Sequence, residues 1–196
     1  MSTVGSVSTG LERSEAIGAS TADLRQQPTL EHLRQVAAAV PDPELPVLSL
    51  GDLGILRAVD AAADGSVIVT ITPTYSGCPA MHAIIEDIER ALHEAGCGDL
   101  EVRTVLAPAW TTDWMSEEGR RKLLDYGIAP PRRRLAEPSP TEPAGAGVPV
   151  AVGISVRCPQ CGSGDTHELS RFGSTSCKSL WACRTCREPF DHFKSL

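Results

Sequence analysis

Two Cys-x-x-Cys pairs, Cys158/Cys161 and Cys183/Cys186, stand 21 residues apart near the C-terminal end of the chain. A two-residue gap lets both sulfurs of one turn face the same point, and Gly162 after the first pair eases that turn. Two such turns converging on one ion give four-sulfur tetrahedral coordination, the signature of a β-rich zinc ribbon. Four sulfurs in a tetrahedron also suit iron, and two disulfides are the remaining use of four cysteines. The lack of a secretory leader argues against disulfides. In a closed four-thiolate site the ion holds a small module together and leaves no open position for chemistry. The function of the chain is therefore sought outside the tetrad.

With 196 residues, 41% of them apolar, the chain has material for one ordinary domain and one small one. No apolar run reaches the length of a membrane span, and the first twenty residues, MSTVGSVSTGLERSEAIGAS, lack the basic region and apolar block of a signal peptide. The expectation is a cytoplasmic protein with reduced cysteines and no membrane association. The formal net charge is −7, with residues 157–196 at +2 and the remainder at −9. So weakly basic a ribbon, with no dense basic face interleaved with aromatics, argues against a nucleic-acid partner.

Along the chain, residues 1–27 are rich in Ser, Thr, Gly and Ala without apolar periodicity, and read as a mobile extension. Thr29 caps a helix carrying Leu30, Leu33, Val36 and Ala37 on one face and ended by Pro41. Pro41, Pro43 and Pro46 then forbid helix, so PDPELPVLSLGDLGILRAVD reads as a shaped loop entering a strand. The alternation of Val67, Val69 and Ile71 with Ile68, Thr70 and Thr72 marks a strand, hairpinned to its predecessor through Asp64-Gly65. Met81, Ile84, Ile85, Ile88 and Leu92 form a helical stripe closed by Gly96. LEVRTVLAPAW gives a third strand and SEEGRRKLLDYG a last short helix before Gly127. Pro, Gly and Ala then dominate residues 130–153, a linker from which the ribbon, residues 154–196, would hang as a tethered module. Arg132, Arg133 and Arg134 read as a contact patch or, more simply, as a solvated charge run. The fold class is α+β: a small three-stranded α/β domain over residues 28–129, followed by the β-rich ribbon.

Outside the ribbon, Cys78 is the residue with most chemical potential. The pattern TYSGCPAM places it at the N-cap of the helix with Pro79 opening the first turn, and a helix N-terminus favours thiolate over thiol. It reads either as a nucleophile or soft-metal ligand, or as a small buried thiol under the turn. His82, four residues on, could pair with it or stand as an ordinary half-exposed helix residue. Cys97, between Gly96 and Gly98, reads as a packing residue. Asp42 and Glu44, on the Pro-stiffened loop, could orient a partner or a metal, or be plain surface acids. No Ser-His-Asp set, phosphate loop, dinucleotide fingerprint or His-x-x-x-His pair is present, so nothing marks an independent enzyme.

Taken together, DPELPVLSLGDLGI, VTITPTYSGCPAM, LAPAWTTDWMSEEGRRKLLDYGIAPP and CPQCGSGDTHELSRFGSTSCKSLWACRTCREPFDHFK resemble the D subunits of bacterial phenylacetyl-CoA epoxidases, the PaaD family. The resemblance runs from about residue 28 to the end. The Asp-Pro-Glu loop and the Cys-Pro helix start resemble the wider SufT-like domain of iron–sulfur assembly factors. The resemblance implies a non-catalytic accessory subunit of a multicomponent oxygenase in phenylacetate catabolism, maturing the iron–sulfur or iron centre of the complex. The other epoxidase subunits are then partners, the iron–sulfur reductase first among them; homo-oligomerisation is open. It carries iron–sulfur handling to Cys78, Asp42 and Glu44, with Thr72 or Thr74 nearby, and zinc binding to Cys158, Cys161, Cys183 and Cys186. Beside zinc, iron or an iron–sulfur cluster is implied as a transient passenger. The other function left open is a purely structural docking role, the ribbon and the Trp110/Trp114 surface seated on the oxygenase. Cys177, six residues before Cys183, fits neither knuckle. It joins Cys78 as a transient ligand for iron, or it packs in the ribbon hairpin against Phe172 or Trp181.

Overall fold

A computed structural model describes residues 28–132 and 156–195. The expected extension over residues 1–27, most of the expected linker, and Arg133 and Arg134 lie outside the described residues.

The first unit is built on a three-stranded sheet in the order β1-β2-β3, with β1 at Leu56–Ala61, β2 at Val67–Ile71 and β3 at Leu100–Thr104. β1 and β2 form the expected antiparallel hairpin, while β2 and β3 run parallel. A parallel pair needs a crossover, and the long helix α3, Met81–Glu94, supplies it. Val67, Val69 and Ile71 are buried where Ile68 and Thr70 are only partly covered, as the period-two alternation requires. Helix α1, Leu30–Ala39, starts at Thr29, whose hydroxyl accepts the His32 N–H at 3.2 Å. It buries Leu33 and Ala37 but leaves Leu30 exposed. Ile84, Ile88 and Leu92 of α3 complete a core shared with Leu48, Leu50, Leu53 and Ile55.

The proline-rich loop holds a turn of helix that sequence reasoning left out. In α2, Leu50–Leu53, Ser49 Oγ accepts the Asp52 N–H while the Asp52 carboxylate accepts the Ser49 N–H, a capping box that offsets the cost of so short a helix. Gly54 closes it at φ 69°, and a Cβ there would lie 2.4 Å from the Trp114 carbonyl oxygen, so the position needs glycine twice over. Asp52 also accepts from Lys122 of α4, Glu117–Asp125, at 2.7 Å. Burial alone would raise the Asp52 carboxyl, but the bonds from Lys122 and Ser49 outweigh it and hold the carboxyl below its usual range.

The ribbon is an antiparallel sheet ordered β4-β5-β6, with β4 at Thr166–Ser170, β5 at Lys178–Cys183 and β6 at Pro189–Phe193. It does not hang free, contrary to the tethered module expected from the linker's composition. The Ala129 N–H donates to the Asp191 carbonyl at 2.8 Å and the Phe193 N–H donates to the Ala129 carbonyl at 2.9 Å, so the end of the first unit pairs with β6. Phe193, 1% exposed, packs into the first unit's core with its ring 6.1 Å from that of Trp110. The buried Arg120 guanidinium donates to the Pro131 carbonyl, fixing the first residues of the expected linker. Pro, Gly and Ala make a segment poor at forming elements of its own, but whether its two ends adhere is decided by the apolar surfaces they carry.

Candidate metal-handling site

The cysteines fall in two groups apart from Cys97. In the ribbon, Cys158, Cys161, Cys183 and Cys186 bring their sulfurs within 4.8 Å of one another. The Cys158–Cys186 pair is at 3.7 Å and the Cys161–Cys183 pair at 3.6 Å, so none is a disulfide. Zinc–sulfur bonds of about 2.3 Å set a tetrahedral edge of about 3.8 Å, and the sulfur spacing fits that edge. Cys183 accepts the N–H groups of Cys186 and Thr185 and its pKa falls to about 6. Among crowded sulfurs Cys186 is pushed up to about 12, despite the Glu188 N–H that favours its thiolate. Four thiolates this close repel one another, and a bound dication removes that repulsion. Among the described residues this is the only group of three or more His, Cys, Asp or Glu whose ligand atoms converge so closely.

The second group lies where the ribbon meets the first unit. A narrow cleft there is lined by Asp42, Glu44, Thr74 and Cys78 of the first unit and by Cys177 and Phe193 of the ribbon. Leu45, Leu53, Ile55 and Ile84 form its apolar floor. The residues singled out in the sequence for iron handling thus share one cavity, although three separate segments supply them. Thr72, the other threonine considered, is buried with its hydroxyl unpartnered and is not among the cleft's lining.

The local geometry of Cys78 differs from that expected. Helix α3 begins at Met81 with Ala80 as its cap, so Cys78 stands two residues outside, its N–H donating to the Tyr75 carbonyl at 3.0 Å. Its sulfur still faces the Ala80 and Met81 N–H groups, which favour thiolate. Burial, seconded by the charges of Glu44 and Asp42, outweighs them and pushes the thiol up. The thiolate expected from a helix N-terminus is therefore not what this environment favours, because the field of the first turn meets two carboxylates in a desolvated cleft. Asp42 accepts the N–H groups of Leu45 at 2.7 Å and Glu44 at 2.9 Å, yet burial raises its carboxyl too. Glu44 is raised by burial and by the neighbouring Asp42, with Lys178 acting in the opposite sense.

Cys177 is buried, its sulfur 3.0 Å from the Thr175 hydroxyl, and burial raises it as well. It belongs to the first unit's core cluster and not to the ribbon's own, which contains Trp181. Phe172 is 73% exposed, with the Lys194 ammonium 4.7 Å from its ring centre. The alternative of a thiol packed against Phe172 or Trp181 is thereby replaced by one packed across the junction. His82 is 86% exposed and pairs with Glu86 at 3.1 Å, leaving Cys78 alone. Cys97 is a buried core residue, as its flanking glycines suggested. Trp110 is buried with its indole N–H donating to the Leu53 carbonyl at 2.9 Å, and Trp114 is half-buried under the Arg57 guanidinium. Sequence reasoning missed Phe193 and the apolar floor, for which only generic core periodicity was visible.

Residues 149–194 match the PaaD zinc beta ribbon domain, and residues 31–105 match the family described as iron-sulfur cluster assembly protein. The chain is 43% identical, over 86% of its length and 94% of the relative's, to a protein of Escherichia coli (strain K12) that bears the name "Putative 1,2-phenylacetyl-CoA epoxidase" as its D subunit. It is 38% identical, over 48% of its length and 90% of the relative's, to a protein of Porphyromonas gingivalis named "Fe-S protein maturation auxiliary factor". A crystal structure of a domain of unknown function from Bacillus anthracis covers 47% of this chain and 89% of that one, at 29% identity and a TM-score of 0.44.

Proposed function

This chain belongs to the PaaD family, the D subunits of 1,2-phenylacetyl-CoA epoxidases, and from that premise we propose that it is a non-catalytic accessory subunit that matures the iron–sulfur centre of the oxygenase complex. The client is the reductase subunit, and iron or a nascent cluster is the cargo. The observation that carries the reading is the single cleft that gathers Asp42, Glu44, Thr74 and Cys78. A soft sulfur beside hard carboxylates suits iron in transit better than it suits zinc held for good. Relatives of the first unit named as Fe-S protein maturation factors support the same reading.

In this scheme Cys78 contacts the cargo, and Asp42, held by the Leu45 and Glu44 N–H groups, presents a fixed oxygen beside it. The ribbon tetrad holds zinc and takes no part in transfer. No described helix is long and apolar enough to cross a membrane, and the partners are the other epoxidase subunits.

The test is a strain whose only copy of this protein carries Cys78→Ser. Its purified reductase should be poor in iron and sulfide, phenylacetyl-CoA turnover should be slow, and chemical reconstitution of the cluster should restore it. Normal cluster content in that strain, or a fully loaded complex that still needs this protein in stoichiometric amount, would replace maturation by structural docking.

A further inference from the structure

Cys177 has no work to do within the ribbon. The tetrad is complete without it, and the ribbon's own core consists of Val156, Cys158, Trp181, Cys183 and Phe190 with Ala129. Its thiol lies instead in the wall of the cleft that Cys78 lines from the other side of the junction. No Lys, Arg or His lines that cleft, and the Lys178 ammonium, whose charge reaches Glu44 and Cys177, is held 3.1 Å from Asp191. Two thiols, two carboxylates and the Thr74 hydroxyl therefore share a desolvated space with no cation in its lining. The cavity volume is about 10 Å³, room for one water or one ion.

Resting on the maturation reading, we propose that Cys78 and Cys177 form a cross-module site for a single ferrous ion, so that the cargo is mononuclear iron and the ribbon supplies its second sulfur ligand. Asp42 or Glu44 adds an oxygen, since ferrous iron accepts both thiolate and carboxylate. As each iron–sulfur bond forms, the thiol proton leaves for solvent, and no electron changes hands. No three of these ligand atoms converge within the 4.8 Å that the tetrad achieves. A site so loosely gathered holds its ion more weakly than the tetrad holds zinc, as a donor must.

The experiment uses the full chain with its ribbon zinc in place, titrated without oxygen with ferrous iron and, for its thiolate charge-transfer bands, with cobalt(II). Wild type should bind one ion beyond the ribbon zinc. Cys78→Ser and Cys177→Ala should each weaken that binding about tenfold or more and halve the charge-transfer intensity, with zinc content and circular dichroism unchanged. Cys177→Ala keeps the small apolar packing, so a lost signal with intact zinc and fold reports the ligand itself. A Cys177→Ala protein that titrates like wild type would overturn the cross-module site while leaving maturation standing. So would a wild type that takes no single ion yet accepts a reconstituted cluster on Cys78. The maturation reading fails separately, by a fully loaded reductase in the Cys78→Ser strain.

Discussion

The two cysteine-bearing sites of this molecule differ in how their sulfurs are brought together. In the ribbon, each pair is positioned by its own two-residue turn, and one sheet then brings the two turns into register at 3.6 and 3.7 Å. In the cleft, Cys78 comes from the turn before α3 and Cys177 from the turn before β5, and only the docking of β6 on Ala129 puts them in one cavity. The tetrad's ligand atoms are converged and the cleft's are not, and the cleft's lining is acidic. Metal affinity follows preorganisation, because ligands already in place lose little entropy and relieve existing repulsion when the ion binds.

The largest expected difference is between the same substitution made in the two places. Cys183→Ser should abolish zinc binding and with it a folding contribution on the order of 10 kcal/mol. The ribbon would unfold and the first unit would lose the cover of Phe193. Cys78→Ser should keep zinc and change unfolding free energy by less than about 1 kcal/mol. Zinc content and urea unfolding of both variants measure this, and equal losses of stability would erase the distinction.

A smaller effect probes the junction that joins the sites. Phe193→Ala removes a fully buried ring from the first unit's core and should cost about 3–5 kcal/mol. Zinc should stay bound, since the tetrad lies elsewhere, while hydrogen exchange at Ala129 and Phe193 accelerates. Unchanged protection at those amides would mean that the ribbon docks without this anchor.

The smallest effect is on acid stability. His192 faces the Ser179 hydroxyl at 3.3 Å and stacks edge-on against Trp181, with Glu168, Arg171 and Lys194 around the same groove. Burial and, less, the charge of Arg132 lower its pKa to about 4. The folded value lies below the unfolded one of about 6.5, so the unfolded chain takes up the proton first. This stability is complete above about pH 6.5 and is lost as pH falls toward 4, by at most about 3 kcal/mol. His192→Gln should flatten that part of the profile, leaving the acid release of zinc and the protonation of Asp52 common to both proteins. An identical slope in the variant would mean that protonation of His192 contributes nothing to acid lability.

Much of the candidate site was legible before any coordinates. The tetrad followed from spacing, Cys78 from its place at a helix start, Asp42 and Glu44 from their Pro-stiffened loop, and Thr74 from the resemblance of two short motifs. What escaped was electrostatic: the rule that a helix start favours thiolate holds for Cys78 locally, and is outvoted by burial and by acids from a loop more than thirty positions earlier. The capping box of Ser49 and Asp52 was readable in principle, but the prolines before it argued more loudly for a loop.

By itself the sequence determined whatever depends on neighbours along the chain. That includes the Thr29 cap, the buried alternation of Val67, Val69 and Ile71, the stripe of Ile84, Ile88 and Leu92, and the geometry of each Cys-x-x-Cys turn. These are set by bond geometry and periodicity over a few residues. Only the tertiary structure decided that β6 pairs with Ala129, that Phe193 enters the first unit's core, and that Cys177 faces the cavity of Cys78. Those arrangements depend on the match of two apolar surfaces, formed by residues far apart in the chain, and no local pattern encodes such a match.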